Sequence, residues 1–356
     1  MRLGFAGLGW AARGFHVPAL RQVPQLEIVG GFDVSPEQRA SWERETGQPA
    51  YASFEELLER GGPEMLSIAA PPAAHYGLCL QALDAGLHVF CEKPFVETVE
   101  EADHVLAEAA RRGLRIAVNH EFREKPIFKA IGETIDSGDV GRLVFCQIWQ
   151  LMDLPPWAEH VAWRAAMPNR TLFEGGVHFV DLLLHYFGEM PVAVWASHSS
   201  GLGEREADAI HLVALEFSGG RLAQLTIDRL CPSGTRYAEV RADCERASLR
   251  ASHGGRVALQ VGKKRAESAG LRVDYATGGL AWMEQGRRRK TLARDPRNSG
   301  VMATARLLEK VVAAVEEGRE PPSSGREARQ SLAVIEAAYR SAATGERIEV
   351  ASTPAS

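Results

Sequence analysis

Arg2–Ala12, RLGFAGLGWAA, decides how the chain begins. Arg2–Ala6 has the short, mostly apolar make-up of a buried strand, and it runs straight into glycine. Gly7-Leu8-Gly9-Trp10-Ala11-Ala12 then spaces its small residues as GxGxxA. Each position answers a physical need. Gly7 permits a tight strand-to-helix turn, Gly9 lets backbone approach a pyrophosphate, and Ala12 allows close packing of helix on strand. Trp10 and Ala11 complete this candidate cofactor turn, with the anion at the helix N-terminus. A second strand, Leu26–Phe32, ends in Asp33. A carboxylate there accepts both ribose hydroxyls of NAD and repels the 2′-phosphate of NADP. Ser35 and Arg39 follow closely enough to leave NADP as an alternative.

Strands and helices go on alternating, as in a doubly wound parallel sheet. Strands are expected at Met65–Ala70, His88–Cys91 and Arg115–Val118, and helices at Phe54–Arg60, His75–Ala85 and Glu101–Arg112. Such sheets bind ligands at the carboxyl edge, which makes Ala70, Pro71, His75, Glu92 and Lys93 candidates for cofactor contact. Glu92-Lys93-Pro94 carries the chemistry of that edge. A lysine between a buried strand and a proline has little freedom, and it can orient a reacting hydroxyl or stabilise its developing charge. The bland alternative is a loop lysine extended to solvent. Cis geometry at Lys93-Pro94 has only the general frequency of about 5–6%.

Beyond His120 the pattern changes. A helix at Lys125–Ser137 and a strand at Leu143–Trp149 lead into the long connection Leu151–Arg170. It holds Pro155, Pro156, Trp157, His160, Trp163, Arg164, Pro168 and Asn169, which suits a binding loop or lid. Trp163 can stack on the apolar face of a polyol and Arg164 can bond its oxygens; a loop anchor and a surface charge are the plainer readings. Thr171–Gly188, TLFEGGVHFVDLLLHYFG, follows. At roughly 100° per residue, Glu174, His178, Asp181 and His185 share one stripe of an otherwise apolar helix. Gly175-Gly176 weakens the start, which can leave Glu174 in the approach, while His185 lies deeper and is expected to be packed.

Strands are then expected at Val192–His198, Ala209–Phe217, Arg221–Asp228, Tyr237–Ala242 and Arg246–Ala251, with a hairpin at Ser218-Gly219-Gly220. They imply a mostly antiparallel sheet with one face free for self-association. His211, Gln224, Thr226, Asp228, Arg229 and His253 are expected at solvent, as are the basic clusters Lys263–Arg265 and Arg287–Lys290. Helices at Val301–Glu317 and Arg326–Ala343, an edge strand within Gly345–Val350 and a frayed tail at Ala351–Ser356 complete the chain.

Composition narrows the function. The 356 residues suffice for two domains, and a net charge of −5 gives no reason to expect nucleic acid. Five cysteines without CxxC spacing argue against a disulfide framework and a structural zinc site. No signal peptide or membrane span is indicated, since no run approaches ~18 apolar residues, so the expected location is cytoplasmic.

Gly7–Ala12, Asp33, Glu92-Lys93-Pro94, Glu174-Gly175-Gly176-Val177-His178 with Asp181, and the segment Gly325–Val350, in this order, resemble the Gfo/Idh/MocA oxidoreductases over nearly the whole chain. The resemblance implies an α/β chain: a Rossmann dinucleotide-binding domain, residues 1–120, and an α+β domain with a large, mostly antiparallel open sheet, residues 121–356. It implies a nicotinamide cofactor, NAD or NADP, and a sugar, inositol or related polyol as substrate, in a homodimer or homotetramer assembled through that sheet. Lys93, His178 and Glu174 are the implied catalytic residues, His178 exchanging the hydroxyl proton. Glu174 stands where many members have aspartate, so its role is less defined. Asp181, Trp163, Arg164, His120 and Arg123 are the candidate substrate contacts, and no resident metal is expected.

Three other readings stay open. Glu174, His178, Asp181 and His185 are of metal-ligand type but lack HExxH spacing. A glycoside hydrolase or lyase acting through transient oxidation would use the same scaffold. A cofactor-binding sensor would not need both Lys93 and His178.

Overall fold

The computed structural model describes residues 1–152, 162–165, 167, 169–199, 208–232, 237–254, 256–261, 271–276 and 278–350. Pro155, Pro156, Trp157, His160 and Pro168 of the expected lid, the Lys263–Arg265 cluster and the tail Ala351–Ser356 lie outside them. The chain forms two compact units. One takes Met1–Glu124, Phe173–Asp181 and Gly300–Glu336; the other takes Lys125–Leu172, Leu182–Ser299 and Ala337–Ser356. The first unit thus extends past residue 120 and is rejoined twice by later chain.

The first unit is built on six parallel strands, β1 (Arg2–Ala6), β2 (Glu27–Phe32), β3 (Ala50–Tyr51), β4 (Met65–Ile68), β5 (His88–Cys91) and β6 (Ile116–Val118). Their order, β3-β2-β1-β4-β5-β6, is that of a doubly wound nucleotide-binding sheet, reversing direction between β1 and β4. Leu3, Phe5, Leu66, Ile68, Val89 and Phe90 are buried, which is why these strands read as continuous apolar runs. One helix had no apolar signature: Pro36–Thr46 buries only Trp42, which packs on Phe5 with ring centroids 4.9 Å apart. Its ends follow local rules instead. Ser35 caps the start by accepting from the Gln38 N–H, Pro36 opens the first turn, and Gly47 closes the helix at φ +72°. The helix Gly325–Thr344 begins with a capping box. Ser324 Oγ accepts from the Glu327 N–H at 3.3 Å, and the Ser324 N–H donates to Glu327 Oε2 at 2.9 Å.

The second unit holds a nine-stranded sheet made of β7 (Leu143–Leu151), β8 (Ala193–His198), β9 (Ile210–Phe217), β10 (Arg221–Asp228), β11 (Ala238–Cys244), β12 (Ser248–His253), β15 (Leu280–Gln285), β16 (Arg288–Arg294) and β17 (Ile348–Glu349). Between β12 and β15 in the chain, β13 (Arg256–Val261) and β14 (Leu271–Ala276) pair as a two-stranded ribbon. The order is β16-β15-β12-β11-β7-β10-β9-β8-β17, antiparallel except for β7 beside β10. Alternation is clean in the middle of the sheet. Cys146, Ile148, Val213, Leu215, Ala223, Leu225, Val240 and Ala242 are buried, while Trp149, Trp195, Leu212 and Leu222 are exposed. β9 and β10 meet around Ser218–Gly220, as the glycine pair implies.

The sequence does not announce one strand of this unit, and two expectations are corrected. The basic run Arg287–Lys290 is exposed, as expected, but Arg288–Lys290 belong to β16, and the Arg289 guanidinium lies over the Trp282 ring at 4.2 Å. Three consecutive cations, Arg288-Arg289-Lys290, open this strand and hide the alternation by which a strand is recognised. His211 and Arg229, expected at solvent, are buried; His211 bonds to Asp208 at 2.7 Å. His185, expected to be packed, is exposed, lying at the solvent-facing side of the last turns of its helix. No helix among the described residues is long and apolar enough to cross a membrane.

Candidate active site

The glycine turn has the geometry that its sequence requires. Gly7 has φ +86°, and a Cβ there would lie 2.6 Å from the Ala70 nitrogen, so the turn closes against the end of β4 only if residue 7 has no side chain. At Gly9 the space is open: a Cβ would meet nothing within 4 Å. Asp33, just past β2, accepts the Leu8 N–H on Oδ2 at 2.8 Å and the Ser35 N–H on Oδ1 at 2.9 Å. The Arg39 guanidinium is turned to the Asp33 carbonyl at 2.7 Å and the Val34 carbonyl at 3.2 Å. Trp10 is 71% exposed beside the turn, edge-on to Phe15, while Ala12 is buried. An open cradle at Gly9, free of Cβ atoms and flanked by a strand-end carboxylate, fits a dinucleotide.

Two candidate cofactor residues have another physical role. His75 is wholly buried, with Nε2 2.8 Å from the Ala70 carbonyl and Nδ1 2.9 Å from that of Pro94; it braces the β4 and β5 exits against each other. Burial pushes its pKa down, against the pull of these carbonyls. Glu92 turns toward His16 Nε2 at 2.5 Å and accepts from Asn119 Nδ2 at 2.7 Å, and His16 Nδ1 meets Ser67 Oγ at 2.8 Å. Burial works to raise the Glu92 pKa, but the His16 bond and charge, Asn119 and Lys93 outweigh it and hold the carboxyl at about 2. Both side chains therefore shape the edge that would hold a cofactor. The Lys93-Pro94 bond is cis.

From that edge Lys93 reaches the returning segment. Its Nζ donates to the Glu174 carbonyl at 2.9 Å and lies 3.1 Å from Glu174 Oε1. Glu174 sits in a π-helical turn, Thr171–Gly176, ahead of the α-helix Val177–Phe187, so it belongs to the approach, as the glycine pair suggests. His178, one turn on, is buried and stacked on Phe122 with centroids 4.2 Å apart and planes at 10°. His120 stands edge-on to it at 6.1 Å. His120 is 1% exposed, and neither ring nitrogen has a hydrogen-bond partner among the described residues. Burial lowers its pKa, Asp181 opposing, which favours a neutral imidazole.

Asp181, expected to bond substrate hydroxyls, is fully buried and holds both oxygens to Arg123, at 2.7 Å to Nε and 2.6 Å to Nη2. Arg123 also donates to Glu327 Oε1 at 2.5 Å. Burial opposes the guanidinium charge, yet these two carboxylates keep its pKa above the ordinary arginine value. The two side chains form a fork-like ion pair, which fixes the helix one turn beyond His178. Trp163 and Arg164 belong to the second unit, on the short helix Ala162–Ala165, with the guanidinium 5.0 Å from the Trp163 ring. The unit that carries Lys93 thus unites it with Glu174, His178, His120, Arg123 and Asp181. His16, Asn119, Glu121, Phe122 and Glu327 also belong to the site and are not singled out by sequence. Glu121 and Phe122 follow β6 at the same carboxyl edge as Lys93, a positional signal that could have found them; His16 had none.

The two glycines separate folding from ligand binding. Gly7→Ala is expected to destabilise the protein by at least about 1 kcal/mol in urea unfolding, because it combines positive φ with a backbone clash. Gly9→Ala should leave the urea midpoint in place and weaken NAD binding, measured by tryptophan fluorescence, by about tenfold or more. Equal effects on both properties in both variants would contradict the assignment. For Glu92, whose folded pKa lies below its ordinary 4.5, the contribution to stability is complete above that value and is lost as pH falls toward about 2. The advantage of wild type over Glu92→Gln in urea should therefore narrow as pH is lowered from about 6 to about 3. A constant difference would count against the His16–Glu92 pair.

Comparison with known proteins bears on the whole chain. Residues 1–120 match the oxidoreductase family model for the NAD-binding Rossmann fold, and residues 133–350 match the model of its C-terminal alpha/beta domain. The chain is 25% identical to a 1,5-anhydro-D-fructose reductase of Ensifer adhaerens over 354 residues, 98% of each chain. It is 25% identical to a D-apiose dehydrogenase of Paraburkholderia graminis over 364 residues, 98% of this chain and 89% of that one. An oxidoreductase from Agrobacterium radiobacter, solved with NAD+, L-tartaric acid and magnesium, shares the fold with a TM-score of 0.82 at 16% identity, covering 98% of both chains. With a nucleotide-binding sheet, a large mixed sheet and both halves matched in order, the chain belongs to the Gfo/Idh/MocA family of NAD(P)-dependent oxidoreductases.

Proposed function

We propose that the protein is an NAD-preferring dehydrogenase that interconverts a secondary alcohol and a ketone on a sugar, inositol or related polyol. The observation that carries this reading is Lys93 held by Glu174 one helical turn before a buried, stacked histidine, in the unit that also bears the glycine turn. The relatives named for 1,5-anhydro-D-fructose reduction and D-apiose oxidation support a sugar-like substrate. Asp33 beside Gly9, with Arg39 turned to backbone carbonyls, supports NAD over NADP.

The cofactor residues are Gly7, Gly9, Trp10, Ala11, Ala12 and Asp33 at the turn, with Ala70, Pro71 and Lys93 at the neighbouring strand exits. A bound nicotinamide supplies the hydride acceptor. His178 takes the substrate hydroxyl proton on a ring nitrogen, suited to it because an imidazole cycles both ways near neutral pH. Lys93 donates to the reacting oxygen and favours the negative charge that develops there. Glu174 aims Lys93 through its carboxylate and its carbonyl. His120, buried with neither ring nitrogen paired, gains a partner when substrate hydroxyls arrive. Trp163 and Arg164 are further proposed substrate contacts. The exposed Trp149, Trp195, Leu212 and Leu222 support self-association through the sheet, as a dimer or tetramer.

His178→Ala should lower turnover roughly 10²–10⁴-fold on whichever polyol the wild type oxidises, with NAD affinity nearly unchanged. Turnover retained in the purified variant would remove His178 from the role of base.

A further inference from the structure

Three consecutive residues after β6 surround His178. His120 meets its edge, Phe122 lies flat on its face, and Glu121 presents Oε2 3.7 Å from Nδ1, both side chains being largely buried. These residues enter the short 3₁₀ turn Glu121–Glu124, and the next one, Arg123, grips Asp181 on the same helix as His178. The turn therefore reads the helix at two successive positions. We propose that Glu121 is the positioning carboxylate of the site: it holds the imidazole proton on Nδ1 of His178 and leaves Nε2 to receive the proton of the substrate hydroxyl.

Stacking on Phe122 restrains the ring plane, and both nitrogens lie in it. Within that plane Nδ1 faces a carboxylate, and a neutral imidazole beside an anion places its single N–H toward the negative charge. At 3.7 Å the carboxylate lies just beyond hydrogen-bond distance, and contacts of catalytic pairs often shorten when a ligand binds. The imidazolium formed on proton transfer is then stabilised by the same carboxylate. Among the described residues, the further ionisable groups on these elements are Glu174 and Asp181 on the segment of His178, Lys93 at the β5 exit, His120 and Arg123 at the turn, and Glu327 on the helix Gly325–Thr344. Lys93 is paired with Glu174, and Arg123 with Asp181 and Glu327, while Glu121 is placed against the ring.

The role of His178 as base rests on the proposed dehydrogenase reading, so the test reads the imidazole itself. Histidine-labelled wild type, Glu121→Gln and Glu121→Ala would be compared by ¹⁵N imidazole NMR, with His178→Asn assigning the signal. The wild type should carry its proton on Nδ1. Glu121→Gln should keep that tautomer, through the amide oxygen, with a titration midpoint lower by on the order of one pH unit. Glu121→Ala should lose the tautomer preference. The remaining histidine signals report folding, and Glu121→Gln decides alone where Glu121→Ala does not fold. A His178 tautomer and midpoint unchanged in Glu121→Gln, or a wild-type proton on Nε2, would overturn the proposal. A shifted His178 in an enzyme whose His178→Ala form stays active would uphold the pairing and remove the base instead.

Discussion

A lysine at the end of a buried strand has to find an anion, and the partner of Lys93 comes from a segment about eighty residues later in the chain. The pairing of Nζ with the carboxylate and carbonyl of Glu174 is the constraint on which the site depends. It ties the approach of the His178 helix to the edge of the nucleotide-binding sheet. Once Glu174 is placed there, His178 follows one turn on and Asp181 one turn beyond, each met by a residue of the turn after β6.

The electrostatics of this assembly are those of buried charges with defined partners. Arg123 bridges Asp181 and Glu327, and Glu92 is held by His16 and Asn119. Breaking a buried pair of this kind leaves a charge without compensation, at a cost of about 3–5 kcal/mol. The network consequently confers order on Lys93, Glu174 and His178: the sheet edge cannot move Lys93 without disturbing Glu174, and the turn cannot release Asp181 without loosening the helix that carries His178.

Sequence disclosed the parts governed by local rules. Glycine spacing, strand-end chemistry and the polar stripe exposed the nucleotide-binding sheet and the placement of Asp33 and Lys93 past strand ends and of His178 on its helix, because each is set by backbone geometry or by a period. Partnership was less accessible. Asp181 and Arg123 have the residue types of a sugar site, and nothing in their spacing says that they bind each other across 58 residues. His75 and Glu92 likewise lie at the right edge, yet they face backbone carbonyls and His16. The helix Pro36–Thr46 escaped periodicity because a single tryptophan anchors it, and β16 escaped because three consecutive cations open it.

The most direct measurement of the central claim is cofactor reduction followed with NAD and NADP in parallel, across a panel of inositols, aldoses and related cyclic polyols. NADH should form with at least one of them, and on the proposal that Asp33 repels a 2′-phosphate, kcat/KM for NAD should exceed that for NADP by about tenfold or more. A preference for NADP would contradict the role given to Asp33. Tight NAD binding with no reduction on any polyol would contradict the dehydrogenase itself.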